Sequence, residues 1–188
     1  MIELRRPRPD DEDAFLEARS AVPADNPTFL RNYRQGMTFT DFLRVIEDRR
    51  VGRGLPLDVA PSSFLFALCQ GRIVGRASIR HTLTPPLGNL AGHIGYAVLP
   101  EFRSRGYATQ ILRAAVRFAH DELGLDRVLV TCDDDNAASI RVIEKNHGVF
   151  EDAYQDATLR RQKRRYWIDA SETQPNNSLK PTPLRGSA

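Results

Sequence analysis

A mixed α/β fold is predicted by three observations. Strand-like and helix-like segments alternate along the chain, two strand–loop–helix units follow one another between residues 94 and 146, and no run approaches the eighteen apolar residues of a membrane span. The composition agrees: 188 residues, 41% apolar and 27% charged, suits one soluble globular domain with a substantial core. Residues 1–170 are read as that single domain.

Ile2 to Arg6 reads as a first strand, and a helix starting at Pro9 and Asp10 carries Ala14, Phe15, Leu16 and Ala18. Residues 20–36 hold Pro23, Pro27 and Gly36, which predicts a loop or broken helix. Thr38 or Thr40 caps a second helix bearing Phe42, Leu43, Val45 and Ile46, ended by Gly52 and Gly54. SSFLFALCQGRIVGRASIRH, residues 62–81, is two strands joined at Gln70-Gly71, a hairpin signal. The loop LTPPLGNLAG then delivers the chain to an apolar strand, Ile94 to Val98.

That strand opens the most informative segment, IGYAVLPEFRSRGYAT at residues 94–109. The apolar run stops at a proline and gives way to a basic, glycine-containing turn before a strongly amphipathic helix. Ala108, Ile111, Leu112, Ala115, Val116, Ala119 and Leu123 recur at three- and four-residue spacing, with Gln110, Arg113, Arg117 and Asp121 between them. A helix start leaves backbone N–H groups without intrahelical partners and carries about half a positive charge, so a phosphate is bound there by geometry and by charge. Gly106 lets the backbone come close, and Arg103 and Arg105 add charge. There is no G-x-x-x-x-G-K-[ST] and no G-x-G-x-x-G, which sets aside the common nucleoside triphosphate and dinucleotide loops.

RVLVTC, residues 127–132, reads as a buried strand. Asp135 or Asn136 caps the next helix, which runs through Ile140, Val142 and Ile143 to Asn146, with Gly148 as the left-handed residue ending it. Val149 to Tyr154 and Arg165 to Ile168 are two last strands. Residues 171–188 have no periodicity, three prolines and few apolar groups, so they read as a disordered tail. Their removal is expected to leave the melting temperature, and the affinity of the loop at 103–109 for its ligand, unchanged; a drop of several degrees would show that the tail docks.

Arg103-x-x-Gly106-x-Ala108 resembles the pyrophosphate loop of the GNAT N-acetyltransferase superfamily, Q/R-x-x-G-x-G/A, which binds acetyl-CoA. The resemblance covers residues 91–150 and is most similar to a subgroup of uncharacterised acetyltransferases with a GHIGY strand and a terminal RYWI-like strand. It implies a central mixed sheet with helices on both sides, and the cofactor lying where two central strands part. Tyr96, Ala97 and Val98 would offer backbone to the pantetheine arm, and Arg103, Ser104, Arg105, Gly106, Tyr107, Ala108 and Thr109 would hold the pyrophosphate. Asn136 matches the asparagine that hydrogen-bonds pantetheine, and Ser139 a neighbouring hydroxyl. The implied reaction is acetyl transfer to a primary amine, of a small molecule or a protein, with acetyl-CoA as co-substrate and no metal.

An ammonium has a pKa of about 10.4 and no lone pair, so the site must remove a proton. His93 is the candidate base, standing where related acetyltransferases often carry a glutamate; the alternative is a histidine hydrogen-bonded in the sheet. Glu101 is weaker, being solvated in the turn. In the family the positions of Thr131 and Ile143 often carry a glutamate and a thiolate-protonating tyrosine, so the acid role passes to Tyr96, Tyr154 or Tyr166, Tyr154 being the candidate, or to solvent, which protonates a thiolate without help.

The net charge of +3 does not point to nucleic acid, because acidic residues are spread through the chain. Arg160, Arg161, Lys163, Arg164 and Arg165 form one dense basic run, read as a solvated strand edge in preference to a patch for an acidic substrate or the cofactor's 3′-phosphate. Cys69 and Cys132 lie in apolar runs and read as core residues, and no Cys/His cluster has metal-ligand spacing. The polar start MIELRRPRPDD lacks the apolar core of a signal peptide, so a cytoplasmic location without membrane association is expected. A homodimer is left open. Two other classes stay open as well: a non-catalytic acetyl-CoA sensor, and an interaction protein docking an acidic partner on the basic strand.

Overall fold

A computed structural model describes residues 1–22, 29–83, 92–156 and 161–171. The expected tail, the prolines at 23 and 27 and most of the 83–92 loop lie outside these residues. The elements are β1 (Glu3–Arg5), α1 (Glu12–Ser20), α2 (Phe39–Arg50), β2 (Ser62–Cys69), β3 (Arg72–Arg80), β4 (Ile94–Val98), α3 (Tyr107–Leu123), β5 (Arg127–Asp133), α4 (Ala137–Glu144), β6 (Val149–Asp156) and β7 (Arg161–Asp169). Their order is the expected one. Pro9–Asp11 forms a short 3-10 turn ahead of α1, and Asp11 anchors it by accepting from the Arg8 N–H (2.6 Å) and from both Arg5 guanidinium nitrogens (2.7 and 2.6 Å). Thr38, and not Thr40, caps α2 by accepting from the Asp41 N–H. Gln70 and Gly71 both have positive φ, the signature of the tight hairpin turn joining β2 to β3.

Strands β1-β2-β3-β4 form one antiparallel sheet and β5-β7-β6 a second, so the expected single sheet is divided between β4 and β5. Side chains alternate along β3. A Cβ at Gly75 would meet Ile111 of α3 at 2.6 Å, whereas the next residue, Arg76, donates to the Phe29 carbonyl on the opposite face. Helix α3 thus covers one face of the first sheet with Ile111, Leu112, Ala115, Val116 and Ala119, all buried. Helices α1 and α2 cover the other through an aromatic cluster of Phe15, Phe39, Phe42, Phe64 and Phe66.

Two expectations are corrected here. The basic run is not a sheet edge, because β7 lies between β5 and β6. Arg160 lies outside the described residues, and the other charges are compensated: Lys163 and Arg161 pair with Asp133 (2.6 and 3.3 Å), Arg164 with Asp134 (2.5 Å), and Arg165 with Asp152 and Glu151. The end of α4 also differs. The left-handed residue is His147 (φ 62), while Gly148 is required because any Cβ there would overlap the Ile143 side chain.

Candidate active site

The loop after β4 is built by local chemistry. Leu99 N–H donates to the Val74 carbonyl (3.0 Å), Pro100–Phe102 makes a 3-10 turn, and Phe102 is buried beneath the guanidinium groups of Arg72 and Arg105. Gly106 then sits at the N-cap of α3 in the left-handed region (φ 78), where no side chain caps the helix and no acidic residue occupies the first turn. The free N–H groups of α3 therefore face an open space. That space is a cavity of about 360 Å³ lined by Arg103, Ser104, Gly106, Tyr107, Ala108 and Thr109 on one side. Ala138, Arg141, Val142 and Lys145 of the α4 segment form the opposite wall. These four share one helix face by their three- and four-residue spacing, the signal by which Arg141 and Lys145 were legible but not singled out. The nearby Tyr107 hydroxyl donates to Cys69 Sγ (3.5 Å).

Asn136 does cap α4, its Oδ1 accepting from the Ser139 N–H (3.0 Å). The side chain is exposed, and the cap uses only its oxygen, so its amide N–H groups remain for a ligand. Asn146 was not anticipated. It is buried and donates to the Thr109 and Val142 carbonyls (3.3 and 2.8 Å), holding α4 to the first turn of α3.

His93 stands where β4 and β5 meet. Its N–H donates to the Leu129 carbonyl (2.7 Å), and its ring Nδ1 accepts from the Leu129 N–H (2.9 Å). Its own carbonyl accepts from Arg80 N–H (2.8 Å). One residue thus supplies two of the three bonds from backbone and lets an imidazole replace the strand carbonyl that would otherwise pair with β5. Beyond it, no ladder joins β4 to β5 among the described residues, so the strands part. The residue is 6% exposed, and burial, with the Arg80 charge beside it, pushes its pKa down to about 4. The expectation of a base at His93 fits this geometry poorly: Nδ1 is occupied as an acceptor, so the neutral ring carries its proton on Nε2, and a pKa near 4 makes it a weak proton acceptor.

The tyrosines separate clearly. Tyr166 is 2% exposed and packs edge-on against Phe150. Tyr154 pairs with Lys163, which pairs with Asp133, so two strand spacings, about 10 Å, separate it from β5. Arg165 covers its ring. Position thus argues against the expected acid role of Tyr154. Tyr96 is on β4, opposite Ala77, with its hydroxyl buried close to Ser139 of α4 but without a well-formed hydrogen bond among the described residues. Burial pushes its pKa up to about 12. Cys132 is also buried, which raises its thiol to about 11 and makes it a core residue in chemistry as well as position. Glu101 is exposed in the 3-10 turn. Among the described residues no group of three or more His, Cys, Asp or Glu side chains is placed to hold a metal ion, and no helix is long and apolar enough to cross a membrane.

The site thus combines a divided sheet, an uncapped helix start after β4 and a basic cavity between α3 and α4. Residues 2–149 match the family model for the acetyltransferase (GNAT) domain, and the chain belongs to that family. It is 33% identical over 52 residues to the uncharacterised N-acetyltransferase YnaD of Bacillus subtilis (strain 168), a match spanning 28% of this chain and 31% of that protein. Among solved structures, a probable acetyltransferase superposes with a TM-score of 0.63 at 22% identity over 91% of this chain and 94% of the other. The ribosomal L7/L12 α-N-protein acetyltransferase RimL, solved with coenzyme A, gives 0.61 at 20% identity over 90% and 95%. A spermidine N-acetyltransferase SpeG chimera from Vibrio cholerae and hSSAT gives 0.62 at 11% over 92% and 97%. At these identities the structures establish the shared fold.

The role of Asn136 is checked by two substitutions. Asn136→Ala is expected to weaken acetyl-CoA binding by about 1 kcal/mol, the scale of one hydrogen bond, and to lower stability by about as much through loss of the cap. Asn136→Asp keeps a capping oxygen but has no amide donor. It should therefore lose affinity while keeping its melting temperature, and undiminished affinity in both variants would reduce Asn136 to a cap.

Proposed function

We propose that the chain transfers an acetyl group from acetyl-CoA to a primary amine, of a small molecule or a protein, by direct attack with both bound. The observation that carries this is the basic cavity at the start of α3. Uncapped N–H groups, Arg103 on the loop side, and Arg141 and Lys145 opposite fit a diphosphate, and the edge of β4 that no described strand pairs fits the amide-bearing arm attached to it. Acetyl-CoA supplies an activated thioester. This chain's residues position it, and the amine must lose its proton.

Arg76 and Arg80 contribute to that loss. They lie on β3 beside β4, with Arg76 donating to the Gly95 carbonyl (3.2 Å) and Arg80 to the Gly92 carbonyl (2.9 Å). Fixed positive charge there lowers the pKa of an incoming ammonium, so water suffices to take its proton. Tyr96 projects on the α4 side of β4, and its hydroxyl, protonated throughout the working range, donates a hydrogen bond to the departing thiolate. Tyr96→Phe should lower kcat by roughly ten- to a hundredfold, the scale of one hydrogen bond to a charged group, with acetyl-CoA affinity unchanged. An unaltered kcat would remove Tyr96 from the chemistry.

The activity itself is tested by thermal stabilisation with acetyl-CoA and by release of free thiol with a panel of amines. Both responses are expected. Stabilisation without thiol release from any amine would mark a sensor, and neither response would mark an interaction protein.

A further inference from the structure

On the face of the first sheet opposite α3 lies a second cavity, of about 160 Å³, that no part of the cofactor site uses. Three segments far apart in sequence build it: Arg31 and Asn32 before α2, Arg49 at the end of α2, and Ser62, Ser78 and Arg80 on β2 and β3. Its position relative to the reaction follows from register. Ser78 pairs with Gly95 of β4, and Arg80 donates side-chain and backbone hydrogen bonds to the carbonyls of Gly92 and His93. The cavity is thus one strand spacing, about 5 Å, from the end of β4 farthest from the phosphate loop. A pantetheine arm that started at the loop and ran along β4 would carry its thioester toward this end.

The charge of the cavity is unusual within this molecule. Elsewhere the basic side chains commonly meet carboxylates, as in Arg5–Asp11, Arg50–Glu47, Arg72–Glu17 and the pairs along β7. Among the described residues no carboxylate pairs with Arg31 or Arg49. Desolvation and mutual repulsion act together: Arg49 is held below its usual pKa by burial and by Arg31, and Arg80 by burial, Arg31 and Arg49. The approach of Arg31 and Arg49 to one small cavity, with Arg49 partly desolvated, is an electrostatically costly arrangement that an anion relieves. Two serine hydroxyls and an asparagine amide add neutral donors.

We propose that this cavity is the acceptor's anchor and that the substrate is an amine carrying a carboxylate, held by Arg31, Arg49 and Arg80 while its amine reaches past Gly95 toward the thioester. This rests on the acetyl-transfer reading and narrows its substrate class, disfavouring polyamines, whose charge the cavity repels.

The anchor is tested with and without turnover. With the phosphate loop saturated by CoA, succinate is titrated by calorimetry against the full chain and against Arg31→Ala and Arg49→Gln, each checked by melting temperature. Binding to the parent, weakened about tenfold or more in both variants, is expected. Thiol release is then compared for glycylglycine and its C-terminal amide. The acid should show at least about tenfold higher kcat/KM, expressed in KM, and this preference should vanish in the variants. Equal kcat/KM for the pair, a preference for spermidine, or succinate binding indifferent to both substitutions overturns the anchor while leaving acetyl transfer standing. Failure of acetyl-CoA to bind would instead overturn the transferase reading, and the succinate titration would still decide the anion site. If neither variant folds, Asn32→Ala and Ser78→Ala take their place in the same titration, and undiminished succinate affinity in both overturns the anchor.

Discussion

His93→Ala is expected to lower the melting temperature by roughly 5–10 °C, because it strands the buried Leu129 N–H and opens a void where the two sheets join. An unpaired buried donor costs about 1–3 kcal/mol, and the lost ring packing adds to it, so about 3 kcal/mol in all is the scale. Acetyl-CoA affinity should fall with stability, since His93 fixes the point from which β4 leaves β5. His93→Asn, whose Oδ1 can accept from the same N–H, should recover most of both. A pH series gives an independent readout. The imidazole has a folded pKa of about 4 against an ordinary 6.5, so between these values the unfolded chain takes up the proton first. Stability is therefore full above pH 6.5 and is lost as pH falls toward 4, by up to about 3 kcal/mol at order of magnitude. This component should be missing from His93→Ala. A stable variant with turnover reduced about a hundredfold, and with a lost activity limb near pH 6 to 7, would restore the base reading.

Gly106→Glu is expected to abolish measurable acetyl-CoA binding, a loss of about a hundredfold or more, while the protein still folds. A Cβ at Gly106 would meet nothing within 4 Å, so the backbone position has room for a side chain, and Gly106 lines the cavity proposed for the diphosphate. The new carboxylate then repels that diphosphate at the helix start, where Coulomb energies at contact distance reach about 4 kcal/mol at an intermediate dielectric. The backbone cost is smaller, about 1–2 kcal/mol for a non-glycine residue at φ 78, or a few degrees in melting temperature. Gly106→Ala separates these effects, carrying the backbone strain without the charge or the length. Equal affinity in the parent and the glutamate variant, measured by calorimetry, would show that the diphosphate is held elsewhere.

Helix α3 was fully legible because its information is local. The spacing of Ile111, Leu112, Ala115, Val116 and Ala119 specifies one apolar face, and a glycine with two arginines ahead of it specifies how the helix begins. The same holds for Asn136, whose capping bond spans three residues, and for the hairpin at Gln70-Gly71. Gly148 shows a limit within short range: its presence was readable, but the need for it comes from contact with Ile143, not from its dihedral angle. Arg141 and Lys145 were visible as a helix face, yet only the packing of α4 beside α3 turns that face toward the phosphate loop.

By itself the sequence determined the order and type of the elements and the glycine-led start of α3, because each depends on periodicity, turn chemistry or caps acting over a few residues, and the loop motif Arg103-x-x-Gly106-x-Ala108 carried the resemblance to the family. Tertiary structure alone decided the role of His93, whose partner Leu129 is 36 residues away, and the environment of the basic run, whose strand turned out to be central and whose charges find carboxylates on β5 and β6. It alone brought Arg31, Arg49 and Arg80 to one cavity. Charge burial and strand order depend on contacts between distant segments, and no local pattern encodes which segments those will be.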